Sequence, residues 1–113
     1  MRGVKDKLVI KDRGVLNIVA FADIEWIDAA GDYMCVHALG KTHILRSTMK
    51  QLMEKLDDNL FVRVHRSTVV NITRVVSIQS LQKGGSILVL ENGESLRVSR
   101  NYRQHVSSLF SQR

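Results

Sequence analysis

The sequence predicts a mainly β domain of antiparallel strands with two short helices, either stacked small sheets or a partly open barrel. Three observations predict it. Short apolar runs alternate with polar residues at period two along most of the chain. The connections between them are hairpin length, the clearest being Asn92-Gly93 between two such runs. Strand–helix–strand alternation, which would call for a parallel sheet, does not occur. The 113 residues include no proline, so hydrogen-bonded ladders need no interruption, and 7 glycines serve as punctuation instead. Stacked small sheets and a partly open barrel both satisfy this pattern.

Taken in order, residues 7–11 alternate around Leu8 and Ile10, Asp12-Arg13-Gly14 is a turn signal, and residues 15–19 return as the second strand of a hairpin. Phe21-Ala22-Asp23 leads into a strand over residues 24–27 whose apolar face reads as Ile24 and Trp26. Ala29-Ala30-Gly31-Asp32 is a loop, with Gly31 free to take a left-handed conformation. Residues 33–39 form the next strand, Gly40-Lys41 a tight turn and residues 42–45 its return. Ser47 and Thr48 are both candidate helix caps. Met49, Leu52, Met53 and Leu56 follow at helical spacing, giving a short amphipathic helix over 48–56 that Asp57-Asp58-Asn59 ends. After residues 61–71, a strand over 75–81, a Lys83-Gly84-Gly85 turn and a hairpin of 86–90 with 95–98 complete the β part. Ser99 is a candidate cap for a last helix, in which Tyr102, Val106, Leu109 and Phe110 share a face. Trp26, Phe61 and Phe110 read as core aromatics.

Residues 61–71, FVRVHRSTVVN, organise the second half. Val62 and Val64 alternate with Arg63 and His65, Arg66 and Ser67 break the alternation, and Val69 and Val70 resume it. A strand that stops alternating at a basic-polar pair has reached a turn or a bulge, here presenting His65, Arg66 and Ser67 outward. Asn71, between Val70 and Ile72, reads as an internal hydrogen-bonding group that holds the turn. Guanidinium groups on a rigid rim suit phosphate oxygens and the acceptor edge of guanine. Arg46, Arg66 and Arg100 each stand beside a serine where a strand hands over to a turn or helix.

Seventeen Lys and Arg against 11 Asp and Glu give a formal charge of +6 and a pI near 9.9, which favours an anionic partner, nucleic acid ahead of a membrane surface. No window approaches the ~20 apolar residues of a membrane span, and the first residues lack the apolar core of a signal peptide. A cytoplasmic protein is the expectation, and the lone Cys35, unable to form an internal disulfide, agrees with a reducing compartment. Cys35, mid-strand between Met34 and Val36, reads as a buried, inert thiol. Cys35 and His37 share a strand face and His43 lies on the returning strand, at most three ligands without closed four-ligand spacing, so neither metal nor cofactor is expected. The chain has no phosphate loop, nucleophile elbow or His-Glu-x-x-His motif, so no enzyme is expected. The binding readings that stay open are duplex DNA, RNA or single strands, and a small ligand module.

Four segments carry a family resemblance. IEWIDAAGDY at 24–33, Arg46-Ser47 before the short helix, FVRVHRSTVVN at 61–71 and NGESLRVSRNY at 92–102 fall in the order and spacing of a LytTR-type DNA-binding domain. The chain resembles that family over about residues 8–110, with Asp28 standing where the family more often has Glu. The resemblance implies a mainly β fold of small antiparallel sheets stacked into an elongated β domain with two short helices, and insertion of loops into successive major grooves, with bending of the DNA. It implies base contacts at Tyr33, Arg66 and Arg100, and backbone contacts at Arg46, Ser47, Lys50 and His65. It also implies a bacterial transcriptional regulator of the response-regulator type, with a receiver or sensor domain upstream, and leaves room for a homodimer on paired or tandem sites. Residues 7–111 are then the binding domain, and residues 1–6 a flexible end or linker remnant.

Overall fold

The computed structural model describes residues 6–110, so the expectation of a linker remnant at the N-terminus falls, but for Asp6, outside the described residues. Strands β1 (Lys7–Asp12) and β2 (Val15–Ala20) form the first hairpin. Its two-residue turn holds Arg13 and Gly14 at φ of 52° and 81°, the left-handed pair whose twist matches that of the flanking strands. A single 3₁₀ turn, Phe21–Asp23, then launches a meander of β3 (Ile24–Ala30), β4 (Tyr33–Ala38) and β5 (Lys41–Arg46). Helix α1 (Met49–Lys55) follows. A second hairpin, β6 (Phe61–His65) with β7 (Thr68–Asn71), joins the meander by pairing β7 with β3. Another 3₁₀ turn, Ile72–Arg74, leads to β8 (Val75–Ser80), β9 (Ser86–Leu90) and β10 (Ser95–Val98), and α2 (Arg100–Phe110) ends the described chain.

The strands make three antiparallel sheets: β1-β2, a five-stranded sheet ordered β5-β4-β3-β7-β6, and β10-β9-β8. The five-stranded sheet is the middle layer. One face packs Ile24, Ile27, Val36 and Val69 against Leu8 and Ile10 of the first hairpin and Leu52 of α1. The other packs Val62, Val64 and Val70 against Leu88, Leu90 and Leu96 of the three-stranded sheet and Val106 of α2. Successive residues of a strand face opposite sides. Phe61 and Val69 therefore enter the first core while their neighbours Val62 and Val70 enter the second. That double burial is why β6 and β7 carry adjacent apolar residues instead of simple alternation. Stacked sheets, not a barrel, are thus the outcome, in a body of 47 × 33 × 25 Å.

Two sites depart from the sequence expectation for physical reasons. A bulge between Ile24 and Trp26 adds a residue to β3, so Ile24 and Ile27 share the buried face. Trp26 turns to the opposite side, against the second core, and stacks on His37 at 4.1 Å between centroids. Helix α2 commits only Val106 and, in part, Tyr102 to that core, while Leu109 and Phe110 remain exposed. Phe110 is therefore not a core aromatic. Smaller adjustments follow from turn chemistry. Leu39 and Gly40, both at positive φ, make the β4–β5 turn expected at Gly40-Lys41. Thr48, not Ser47, caps α1: its hydroxyl accepts the Gln51 N–H, and the Gln51 side chain accepts the Thr48 N–H.

Asn71 joins the layers. It is fully buried, and its amide donates to the Ile24 carbonyl at 2.9 Å. Its side-chain oxygen accepts the Thr73 N–H at 2.9 Å and the Thr73 hydroxyl at 2.7 Å. One carboxamide thereby satisfies backbone groups where β7 stops and the second 3₁₀ turn begins.

Candidate nucleic-acid interface

Strand polarity gathers the basic residues at one end of the five-stranded sheet. β3, β5 and β6 run toward that end, while β4 and β7 leave it. The β3–β4 turn, the C-terminal end of β5 with the start of α1, and the β6–β7 turn therefore lie side by side. Two backbone bonds fasten the group. Ala29 N–H donates to the Ser67 carbonyl at 2.9 Å, tying the β3–β4 arm to the β6–β7 turn. Ser99 N–H donates to the Val64 carbonyl at 2.9 Å, tying the start of α2 to the same turn. Arg100 Nη2 then donates to the Lys83 carbonyl at 2.7 Å, which adds the β8–β9 turn to the cluster.

Each residue singled out in the sequence has a place here. Tyr33 and Arg46 are cross-strand partners, and the Arg46 guanidinium lies 5.8 Å from the centre of the Tyr33 ring. Tyr33 is 42% exposed, so its ring stands at the surface. Arg66 is exposed at the tip of the β6–β7 turn, and among the described residues its side chain has no hydrogen bond or ion pair. The turn beneath it is well tied down: the Arg63 guanidinium donates to the Arg66 carbonyl, and the Ser67 N–H donates to His65 Nδ1 at 3.2 Å. With Nδ1 engaged as acceptor, His65 keeps Nε2 as a donor. Arg100 is exposed on the first turn of α2, and Lys50 is exposed on α1. Ser47 differs from the rest: it is 7% exposed and its hydroxyl donates to the Thr48 carbonyl at 2.9 Å.

The structure adds residues that sequence reasoning did not single out as contacts. Lys83 and Arg97 join Ser99 and Arg100 around an open concavity of about 430 Å³ beside the β8–β9 turn, and Arg103 flanks Arg100 in an adjoining one. Residue order hid this, since Lys83 and Arg100 meet only because β9 and β10 bring the turn back to the helix start. Between the β3–β4 turn and α1 lies a second concavity, of about 590 Å³, bordered by Gly31, Asp32, Arg46 and Gln51.

Comparison with known proteins decides the family. The model for the LytTr DNA-binding domain matches residues 15–111. The chain belongs to the LytTr DNA-binding domain family. Its fold agrees: a solved LytTr DNA-binding domain from Bacillus cereus superposes with a TM-score of 0.84 over 95% of this chain and 98% of that one, at 22% identity. The sensory transduction protein LytT of Bacillus cereus is 27% identical over 103 residues, 91% of this chain and 42% of its own length. The sensory transduction protein LytR of Streptococcus agalactiae is 28% identical over 95 residues, 84% of this chain and 38% of its own length. The chain thus spans about two fifths of the curated relatives it matches.

Other polar chemistry in this LytTr domain is organised differently. On the sheet face that carries Trp26, His37 Nε2 meets Asp28 Oδ1 at 2.7 Å and His37 Nδ1 meets Thr42 Oγ1 at 3.1 Å. Asp28 thus has a partner even with the shorter side chain. Cys35 lies across from Asp28 and is half-buried, not fully enclosed; that partial burial, and secondarily the Asp28 carboxylate, push its thiol up. His43 pairs with Val36, whose side chain points to the first core, so it faces away from Cys35 and His37. Those three side chains do not converge, and among the described residues no three His, Cys, Asp or Glu gather as metal ligands. No helix among those residues is long and apolar enough to cross a membrane.

Proposed function

We propose that this LytTr domain binds double-stranded DNA sequence-specifically as the output domain of a bacterial transcriptional regulator. The binding unit is residues 7–111. Tyr33, Arg66 and Arg100 read base edges, while Arg46, Lys50 and His65 hold the sugar–phosphate backbone. Ser47, with its hydroxyl turned to the Thr48 carbonyl, supports the helix start rather than a phosphate. The observation that carries this reading is the gathering of the exposed basic side chains on adjacent turns of one sheet end, cross-linked through Ser67, Val64 and Lys83. A turn held by backbone bonds fixes where each arginine side chain starts, so less backbone freedom is lost on binding, which favours specific over diffuse recognition.

The dimensions tie engagement of more than one groove to bending of the duplex. From Arg46, at the end of edge strand β5, to the β6–β7 turn are three to four strand spacings, roughly 14–19 Å. A major groove is about 12 Å wide. A row of that length straddles the backbone at the edge of one groove, and since successive major grooves lie about 34 Å apart, insertion into both needs the duplex to bend toward the protein. Such bending brings all of the turns into reach, at a deformation cost on the order of 1–6 kcal/mol that the added contacts offset. An upstream receiver or sensor domain accounts for the greater length of the relatives, and pairing of two copies would suit paired or tandem sites. A chromosomal target implies action in the cytoplasm.

Selection of bound DNA from a random duplex pool tests the reading. A recurrent motif, outcompeting single strands of the same sequence and migrating as bent DNA when circularly permuted, is the expected result. Failure to enrich any motif, or equal competition by single strands, overturns it.

A further inference from the structure

We infer that Arg63 is a positioning residue for base recognition: it fixes the Arg66 turn against α2, and so sets where Arg66 stands relative to Arg100. The inference rests on the base-reading roles of Arg66 and Arg100. Two contacts and one missing partner of a single side chain carry it. Arg63 Nη2 donates to the main-chain carbonyl of Arg66, at the apex of the β6–β7 turn. The Arg63 guanidinium lies 5.7 Å from the centre of the Tyr102 ring, one helical turn beyond Ser99 and on the helix that begins with Arg100. Arg63 Nε is buried and has no hydrogen-bond partner among the described residues.

The missing partner argues against simple stabilisation as the reason for an arginine here. Burying a donor without an acceptor is destabilising, and an apolar chain of similar volume would cover Tyr102 with no such orphan. What an apolar chain lacks is the donor for the Arg66 carbonyl. A bulge lies between Arg63 and His65, so the ladder is irregular just below the turn although His65 still pairs with Thr68. The Arg63 guanidinium adds a tie at the apex itself, on the Arg66 carbonyl. It also lies over the Tyr102 ring and so links the turn to the helix start, alongside the Ser99–Val64 bond. Arg63 thereby joins two base-reading elements while its own guanidinium points at protein. A bidentate arginine–guanine pair depends on placement to a fraction of an ångström, so loosening this brace degrades discrimination before it degrades charge attraction.

The test measures affinity for the selected duplex and for a scrambled duplex across a salt series, for the unaltered chain and for Arg63→Lys, Arg63→Met and Tyr102→Leu. Arg63→Lys keeps the charge but cannot both donate to the carbonyl and lie flat on the ring. The expected result is a cognate-to-scrambled ratio reduced about tenfold in Arg63→Lys and in Tyr102→Leu, with scrambled affinity and salt slope unchanged. In an Arg66→Ala background the same Arg63→Lys change costs much less, because the group it positions is gone. Equal loss on both duplexes with a flatter salt slope shows Arg63 to be a phosphate contact and overturns the inference. So does an unchanged ratio in Arg63→Lys while Arg66→Ala collapses it, which leaves base reading intact. If Arg66→Ala itself leaves the ratio unchanged, the base-reading assignment fails and the inference falls with it. Should Arg63→Met not fold, Arg63→Lys and Tyr102→Leu carry the decision.

Discussion

The Ser99 amide donates to the Val64 carbonyl at 2.9 Å, and that bond sets Arg100 beside the turn that carries Arg66 although 34 positions separate them in the chain. Neither arginine is held in an ion pair among the described residues, and both side chains are exposed. The pair is therefore presented on one surface. Replacing either by Ala is expected to cost about 1–3 kcal/mol on the cognate duplex and to relax base preference at one position each. Binding titrations on single-base variants of the selected site check this. Identical losses on cognate and random DNA would remove both from the reading role.

Arg46 and Lys50 act differently. Both are exposed where β5 passes into α1, and neither has an acidic partner among the described residues. If they contact phosphates, as proposed, they displace counterions, so Arg46→Ala or Lys50→Ala should weaken binding to all sequences alike. Each should lower the slope of log affinity against log salt by about 1. A change in base preference without a change in slope would contradict this.

Arg100 is steadied from below by the β8–β9 turn. Gly84 sits there at φ +89°, and a Cβ added to it would lie 3.0 Å from Arg100 Nε. The left-handed conformation itself costs an L-residue about 1–2 kcal/mol. Gly84→Ala is thus expected to lower the thermal midpoint slightly and, by displacing the guanidinium, to reduce cognate affinity more than random-duplex affinity. Unchanged cognate binding would show that Arg100 does not need its bond to Lys83.

The division of the fold into hairpins was legible because its turns announce themselves: Arg13-Gly14, Gly31, Leu39-Gly40 and Asn92-Gly93 all fall where period-two runs stop. Trp26 was misread because a bulge adds one residue, and a single insertion reverses every inside–outside assignment after it. Phe110 was misread because helical spacing says which residues share a face, not whether a neighbour covers that face. For the interface, strand-end arginines were visible as residue types in context. The contributions of Lys83 and Arg63 were not, since each acts through a backbone carbonyl supplied or reached only after the strands pair.

Cys35 gives a pH-dependent readout of the sheet face behind Tyr33. Burial first and the Asp28 carboxylate second hold its pKa above the usual thiol value. A raised pKa means less thiolate at any given pH, so alkylation should be slower than for a free thiol and its onset should shift upward in pH. Asp28→Asn removes the smaller of the two causes and should move the onset only partly back. An alkylation profile matching free cysteine would contradict the burial argument.

Asn71 tests what holds the layers in register. Asn71→Leu keeps the branched outline of the side chain, with more bulk, but takes away the donor for the Ile24 carbonyl at 2.9 Å and the acceptor for the Thr73 N–H. Thr73 is exposed and can turn to water, whereas the Ile24 residue is fully buried and its carbonyl loses its donor from the Asn71 side chain. One buried orphan costs about 1–3 kcal/mol, and a marginally stable small domain feels that strongly. The expected outcome is a urea midpoint lowered by about that amount of free energy with an unchanged slope, because the unfolded state exposes the same surface. Asn71→Asp should be at least as harmful, since it offers no donor to the carbonyl and adds a buried charge. If Asn71→Leu unfolded at the same urea concentration as the unaltered chain, the carboxamide would be dispensable. Packing of Phe61, Val62, Val69 and Val70 alone would then fix how β7 meets β3.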